Sequence, residues 1–162
     1  LIDVVRYAPT GHNAQSVRWL VLYTHARVRE LAEHIVEWMR KVIVEQPAMA
    51  RTLHFSRLVA GWDAGTDRVL RGAPHLVVAY GQRGDGIAQL GSVIALSTFD
   101  LAAQAKGLGT CWAGYAMMLP GIEAHLGLPP GHQVFAAMMV GTPFYEFRRI
   151  PFRRPAALEF RD

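Results

Sequence analysis

Two groups of residues in this 162-residue chain have types and spacing that could do chemistry. The first is Ala8-Pro9-Thr10-Gly11-His12-Asn13-Ala14-Gln15, where a Pro-Thr-Gly turn signal leads to two side-chain amides, Asn13 and Gln15. Amides offer donors and acceptors at once, and such a turn lets backbone approach a ligand. Read alone, the segment is served as well by a plainer role, a connection whose Asn and Gln satisfy backbone groups. The second group is Arg148, Arg149, Arg153 and Arg154 near the C-terminus. Guanidinium forks suit a small anionic ligand, and a solvated basic tail is the alternative.

Other chemistries are poorly supplied. The seven histidines (His12, His25, His34, His54, His75, His125, His132) form no His-x-x-x-His pair, and no Cys-x-x-Cys exists, so no metal site is expected. Cys111 is the single cysteine, which excludes an intrachain disulfide and suits a reducing, cytoplasmic compartment. In an apolar strand it reads as packing rather than as a nucleophile. There is no Gly-x-Ser-x-Gly elbow, P-loop or Gly-x-Gly-x-x-Gly fingerprint. The net charge is +4, but basic residues are scattered outside the tail and not interleaved with aromatics, so nucleic acid is not the expected partner. No run of about 18 uninterrupted apolar residues marks a membrane span. No signal peptide is evident.

The elements that must position these residues follow from pattern. The length suits one domain over 1–162, and 51% hydrophobic against 19% charged residues implies extensive burial. Residues 1–8 read as the end of a helix stopped by Pro9, so a further segment is expected before Leu1. Strands are expected at 17–23, 75–80, 110–113 and 134–140, and helices at 26–44, 87–106 and 120–126. Shorter helical pieces occupy 47–72, with Trp62 and Leu70 as core anchors. Helix 87–106 is apolar around much of its girth, which in so small a domain calls for a partner subunit. Leu158-Glu159-Phe160-Arg161 alternates like an edge strand, and Gly107-Leu108-Gly109 reads as a helix C-cap.

Three segments together resemble one family. Ala8 to Gln15 followed by a strand, Gly107-Leu108-Gly109-Thr110-Cys111-Trp112-Ala113-Gly114, and Gly141-Thr142-Pro143 running to Arg149-Ile150-Pro151-Phe152-Arg153-Arg154-Pro155 are similar, in that order, to the FMN-dependent nitroreductase family. The likeness spans essentially the whole chain. It is nearest to the nitroreductase domain that follows a ferredoxin-like iron–sulfur domain in fusion proteins. The resemblance implies an α+β fold with a mixed, mostly antiparallel sheet of four or five strands wrapped by helices. It also implies an intertwined homodimer whose C-terminal tail completes the neighbour's sheet.

The same resemblance implies the site. Pro9, Thr10, Gly11, Asn13 and Gln15 match positions that reach the flavin from the neighbouring subunit. Trp112, Ala113 and Gly114 match positions beside the isoalloxazine ring, where a backbone N–H faces N5. Arg153, and more weakly Arg149, match the tail cation that meets the phosphate. The family's Arg-x-Ser-x-Arg phosphate motif would lie before Leu1. The implied activity is a ping-pong oxidoreductase that takes hydride from NAD(P)H, or electrons from a ferredoxin-like donor, and reduces a nitroaromatic or quinone. No catalytic side chain is assigned, because the flavin does the electronic work. A non-catalytic flavin-binding or sensing dimer is the alternative. Substrate choice is expected to rest on loops around 45–70 and 115–120.

Overall fold

The computed structural model describes residues 1–145 and 148–161. Four strands form one sheet: β1 (Arg18–Leu22), β2 (His75–Gln82), β3 (Gly109–Trp112) and β4 (His132–Gly141), in the order β1-β2-β4-β3. All three pairings are antiparallel, with Leu20 opposite Val78, Val78 opposite Ala137, and Cys111 opposite Met139. The central strands β2 and β4 are buried along most of their length, which explains their continuous apolar runs. A bulge between Ala79 and Tyr80 shifts the register of β2 on β4, and the pairing continues to Gln82 opposite His132.

Alternate strand residues feed two cores. On one face Leu20, Leu22, Leu76, Val78, Val134, Ala137 and Met139 pack under α2 (His25–Glu45), α3 (Pro47–Thr52) and α4 (Phe55–Asp63). The short helices α6 (Gly114–Met118) and α7 (Ile122–His125) complete that layer. On the other face Trp19, Val77, Ala79, Ala136, Met138 and Val140 pack against α5 (Gly86–Gln104) and α1 (Ile2–Val5). The sheet is therefore sandwiched between a multi-helix layer and essentially one long helix.

Local chemistry sets the helix ends. The Thr24 hydroxyl accepts from Arg27 N at 3.3 Å and caps α2, whose buried positions Val28, Leu31, Ala32, Ile35, Val36, Met39 and Val42 form one stripe. Pro47 sits in the first turn of α3 and ends α2 before it. Asp85 accepts from Ile87 N and Ala88 N at 2.9 and 3.0 Å and caps α5. Gly107, at φ +72°, closes the far end, where Leu108 N reaches back to Ala103 O at 3.0 Å. By length and hydropathy α5 would pass as a membrane span, but it lies on the sheet with Ala88, Gly91, Ser92, Ala95, Leu96, Phe99 and Ala103 buried. Its other side, including Leu90 and Leu101, is exposed in the single chain.

Three expectations change. The 120–126 helix is only Ile122–His125, because Pro120 and Gly121 (φ +69°) break it, and α6 stands before it as a separate turn. Trp62 is only half-buried and stacks under the Arg29 guanidinium, 4.9 Å from the ring centre, whereas Leu70 is fully buried. Leu158–Arg161 is not a strand within its own chain, and Leu158 and Phe160 are exposed.

Candidate functional site

The amide turn is a constrained loop. Thr10 Oγ1 accepts from Gln15 N at 3.1 Å, and a single 3-10 turn spans Gly11–Asn13. His12, Asn13 and Gln15 all hold left-handed backbone, at φ +51°, +53° and +50°. Each such residue costs on the order of 1 kcal/mol in a non-glycine, and such costs cluster where loops bind ligands. Pro9, Gly11, Asn13 and Gln15 are exposed and Thr10 half-buried. The only side-chain hydrogen bond of the two amides among the described residues is a long one, from Gln15 Nε2 to Asn13 O at 3.4 Å. The loop lies on the N-terminal half of α5: a Cβ on Gly11 would meet Ile87 at 3.5 Å, and one on Gly91 would meet Thr10 at 3.5 Å.

The second segment lies elsewhere. β3 ends at Trp112, level with Met138, and Ala113 N donates to Ala137 O at 2.9 Å. That commits the Ala113 N–H and buries its methyl in the α2-side core. Gly114 opens α6 without a side-chain cap, and nothing lies within 4 Å of where its Cβ would be. The first N–H groups of a helix have no partner within it, so the Gly114 N–H is available to a ligand. Trp112 beside it is 45% exposed.

The two segments do not meet within one chain. The amide loop precedes the edge strand β1 on the α5 face, and Ala113 and Gly114 follow the opposite edge strand β3, with Ala113 in the α2-side core. Three strand spacings across and about six residues along the sheet separate them by roughly 25 Å. Arg149 and Arg153 join neither. Arg149 lines a shallow hollow with Gln104, Arg148, Ile150 and Pro151, and Arg153 donates to the neighbouring Phe152 O at 3.3 Å. Both tail arginines are exposed.

Around Gly114 the structure gathers residues that sequence reasoning reached only by region, Arg68, Val69, Tyr115 and Met118 from the loops expected to govern substrate choice, and adds Arg71 and Met139. A cleft of about 320 Å³ is lined by Arg68, Val69, Arg71, Trp112, Gly114, Tyr115, Met118 and Met139. The two arginines are placed by Asp67, whose Oδ1 accepts from Val69 N and Leu70 N at 2.8 and 2.9 Å while Oδ2 accepts from Gly72 N at 2.9 Å. This carboxylate-centred turn lets Arg71 hold φ +59° and Gly72 φ +61°. The available signal was an Asp followed five residues later by Gly in a loop between apolar runs. Arg71 also reaches a larger, mostly apolar cleft at the outer edge of β3, where Cys111 is half-buried among Pro74, Thr110 and Pro143. No cluster of three or more metal-ligating side chains exists among the described residues.

The resolved charge perturbation lies outside the site. Arg40 on α2 ion-pairs with Asp63 at the end of α4 and with Glu37 one turn back. The hydrogen bond from Arg40 holds the Asp63 carboxyl below its ordinary range, and the same bond raises the guanidinium. This pair ties two helices together and takes no part in the clefts.

A family model for the nitroreductase family matches residues 1–142, so the chain belongs to that family. No curated protein matches it. Among solved structures it is similar to a nitroreductase with bound FMN from Bacteroides fragilis, at 18% identity and TM-score 0.71, covering 97% of this chain and 83% of that one. A nitroreductase with bound FMN from Desulfitobacterium hafniense gives 20% identity and TM-score 0.70, over 93% and 79%. A mutant of an FMN- and NADPH-dependent nitroreductase from a Sphigopyxis species gives 21% and 0.65, over 95% and 81%. At these identities the likeness is one of fold.

Proposed function

Proceeding from membership of the nitroreductase family, we propose that this chain is an FMN-dependent oxidoreductase acting as a homodimer. It passes reducing equivalents from NAD(P)H or a ferredoxin-like donor to nitroaromatic or quinone acceptors in a ping-pong cycle. The observation that carries this reading is the separation just described. Two exposed, ligand-ready segments sit on opposite edges of one protomer's sheet, too far apart for one small molecule; in the proposed homodimer the loop of one protomer would meet the β3 end of the other. Exposed apolar residues on α5 and in the tail, Leu90, Leu101, Ile150 and Phe160 among them, supply surface for that contact.

The residues present fit FMN. Gly114 leaves bare backbone against which a flat ring can lie, and with the Ala113 N–H already spent on Ala137, the Gly114 N–H is the donor left for the ring's N5 edge. Trp112 and Ala113 frame it. Asn13 and Gln15 of the other protomer, held outward by Pro9, Thr10 and Gly11, offer amides to the pyrimidine edge. Arg153, and more weakly Arg149, would bring guanidinium forks to the phosphate. Bound FMN supplies a ring that accepts and releases two electrons, so the protein's share is binding, orientation and exclusion of water.

After incubation with FMN and removal of free flavin, the purified protein is expected to stay yellow, to elute as a dimer, and to reduce a nitroaromatic with NADH or NADPH. A colourless monomer that takes up no FMN refutes the reading. Flavin that stays bound but is never reduced leaves a flavin-binding or sensing protein instead.

A further inference from the structure

We propose that the cleft between the Asp67–Gly72 loop and the start of α6 selects acceptors that combine an aromatic ring with a negative charge. An aromatic carboxylate is the simplest case, with Arg68 and Arg71 as the specificity-determining residues. The inference deepens the flavin reading and rests on it for turnover, though not for binding. It starts from the composition of the cleft. Val69, Trp112, Tyr115, Met118 and Met139 form an apolar and aromatic wall, and among the described residues the two guanidiniums are the full charges in its lining. Neither arginine has a carboxylate partner or any side-chain hydrogen bond among the described residues.

The nearest carboxylate does not neutralise them by contact. Both oxygens of Asp67 are occupied by three backbone N–H groups, and the side chain faces a neighbouring hollow rather than this one. That hollow contrasts with the cleft. Its lining takes in Arg71 as well as Arg29 and Asp67, but Arg29 is already paired with Glu33 at 3.5 Å and the Asp67 carboxylate is committed to backbone donors. Beside Gly114, two cations without a counter-ion among the described residues face an aromatic wall. Guanidinium and carboxylate match in planar, two-pronged geometry, and the wall accepts the ring that carries the carboxylate.

The test compares 4-nitrobenzoate with 4-nitrobenzamide, which share ring and nitro group and differ in charge. With the full chain loaded with FMN, kcat/KM at low ionic strength is expected to favour the benzoate by about tenfold or more, and salt should shrink that preference. Arg68→Ala and Arg71→Ala should each cut the ratio several-fold and the double variant bring it near one, with flavin absorbance retained. Arg71→Lys should recover part of it, as a point charge replaces the fork. Calorimetry with benzoate against benzamide asks the same of binding alone. A wild-type ratio near one, a ratio unmoved in the double variant, or loss of flavin with the ratio unchanged overturns the proposal. If the chain binds no FMN, the enzyme reading falls by itself and the benzoate titration alone decides, with no preference over benzamide overturning this proposal too.

Discussion

Asp67 is the residue on which the geometry of the arginine loop turns, and Asp67→Ala should show it. Its carboxylate serves three backbone donors, two part-buried (Val69 N, Leu70 N) and one exposed (Gly72 N). Water can replace the acceptor for Gly72 at little cost. Each of the other two loses a charge-assisted bond with poor access to solvent, worth about 1–1.5 kcal/mol. The sum is roughly 2–3 kcal/mol. For a domain of this length each kcal/mol moves Tm by about 2–4 °C, so a fall of about 5–10 °C is expected by differential scanning calorimetry. Asp67→Asn keeps one acceptor oxygen for Val69 and Leu70 and should lose about half as much. Because the same bonds support Arg71 at φ +59°, the alanine variant should also blunt discrimination between charged and neutral acceptors. A Tm within about 1 °C of wild type would show that the loop is held by something other than this carboxylate.

Three further outcomes are expected. Gly81→Ala places a Cβ 2.8 Å from Ala88 Cβ and 3.1 Å from Phe135 Cε2, where α5 crosses β2. Such overpacking costs about 1–3 kcal/mol, read as a lower urea midpoint with unchanged slope, and an unmoved midpoint would mean that the helix yields freely. Asp63→Asn tests the Arg40 pair: the folded carboxyl titrates below its ordinary value, so its stabilisation is present above about pH 4 and fades as pH falls through the lower folded value. Wild type should therefore exceed the variant slightly near neutrality, both partners being solvent-exposed, and the difference should vanish in acid; a gap that widens below pH 4 contradicts the sign. Arg153→Ala should raise the dissociation constant for FMN by about tenfold without altering thermal stability, and unchanged affinity would move the phosphate contact to another residue.

Much of the fold was legible because its signals are local. The 3.6-residue stripe from Val28 to Val42 needed a cap and a stop, and Thr24 and Pro47 provide them within a residue or two of the expected bounds. The apolar runs of β2 and β4 could only be central strands, since each side of the sheet is covered. The break at Pro120 and Gly121 was written in the chain as plainly as these, yet the single turn of α6 had no periodicity long enough to announce it.

For the site, residue types were readable and their meeting places were not. An amide turn, a glycine-flanked strand end and a basic tail declare what each can bind, because hydrogen-bonding capacity and charge belong to the side chain. Which of them share a ligand depends on strand order, a long-range property: β1 and β3 end up on opposite edges, so Asn13 and Gly114 stand apart in one protomer. Arg68 and Arg71 show the converse. The loops around 45–70 and 115–120 were expected to shape substrate choice, but no residue type marks these two arginines as neighbours of Trp112, about forty positions on in sequence; packing of the Asp67 turn against the start of α6 puts them there.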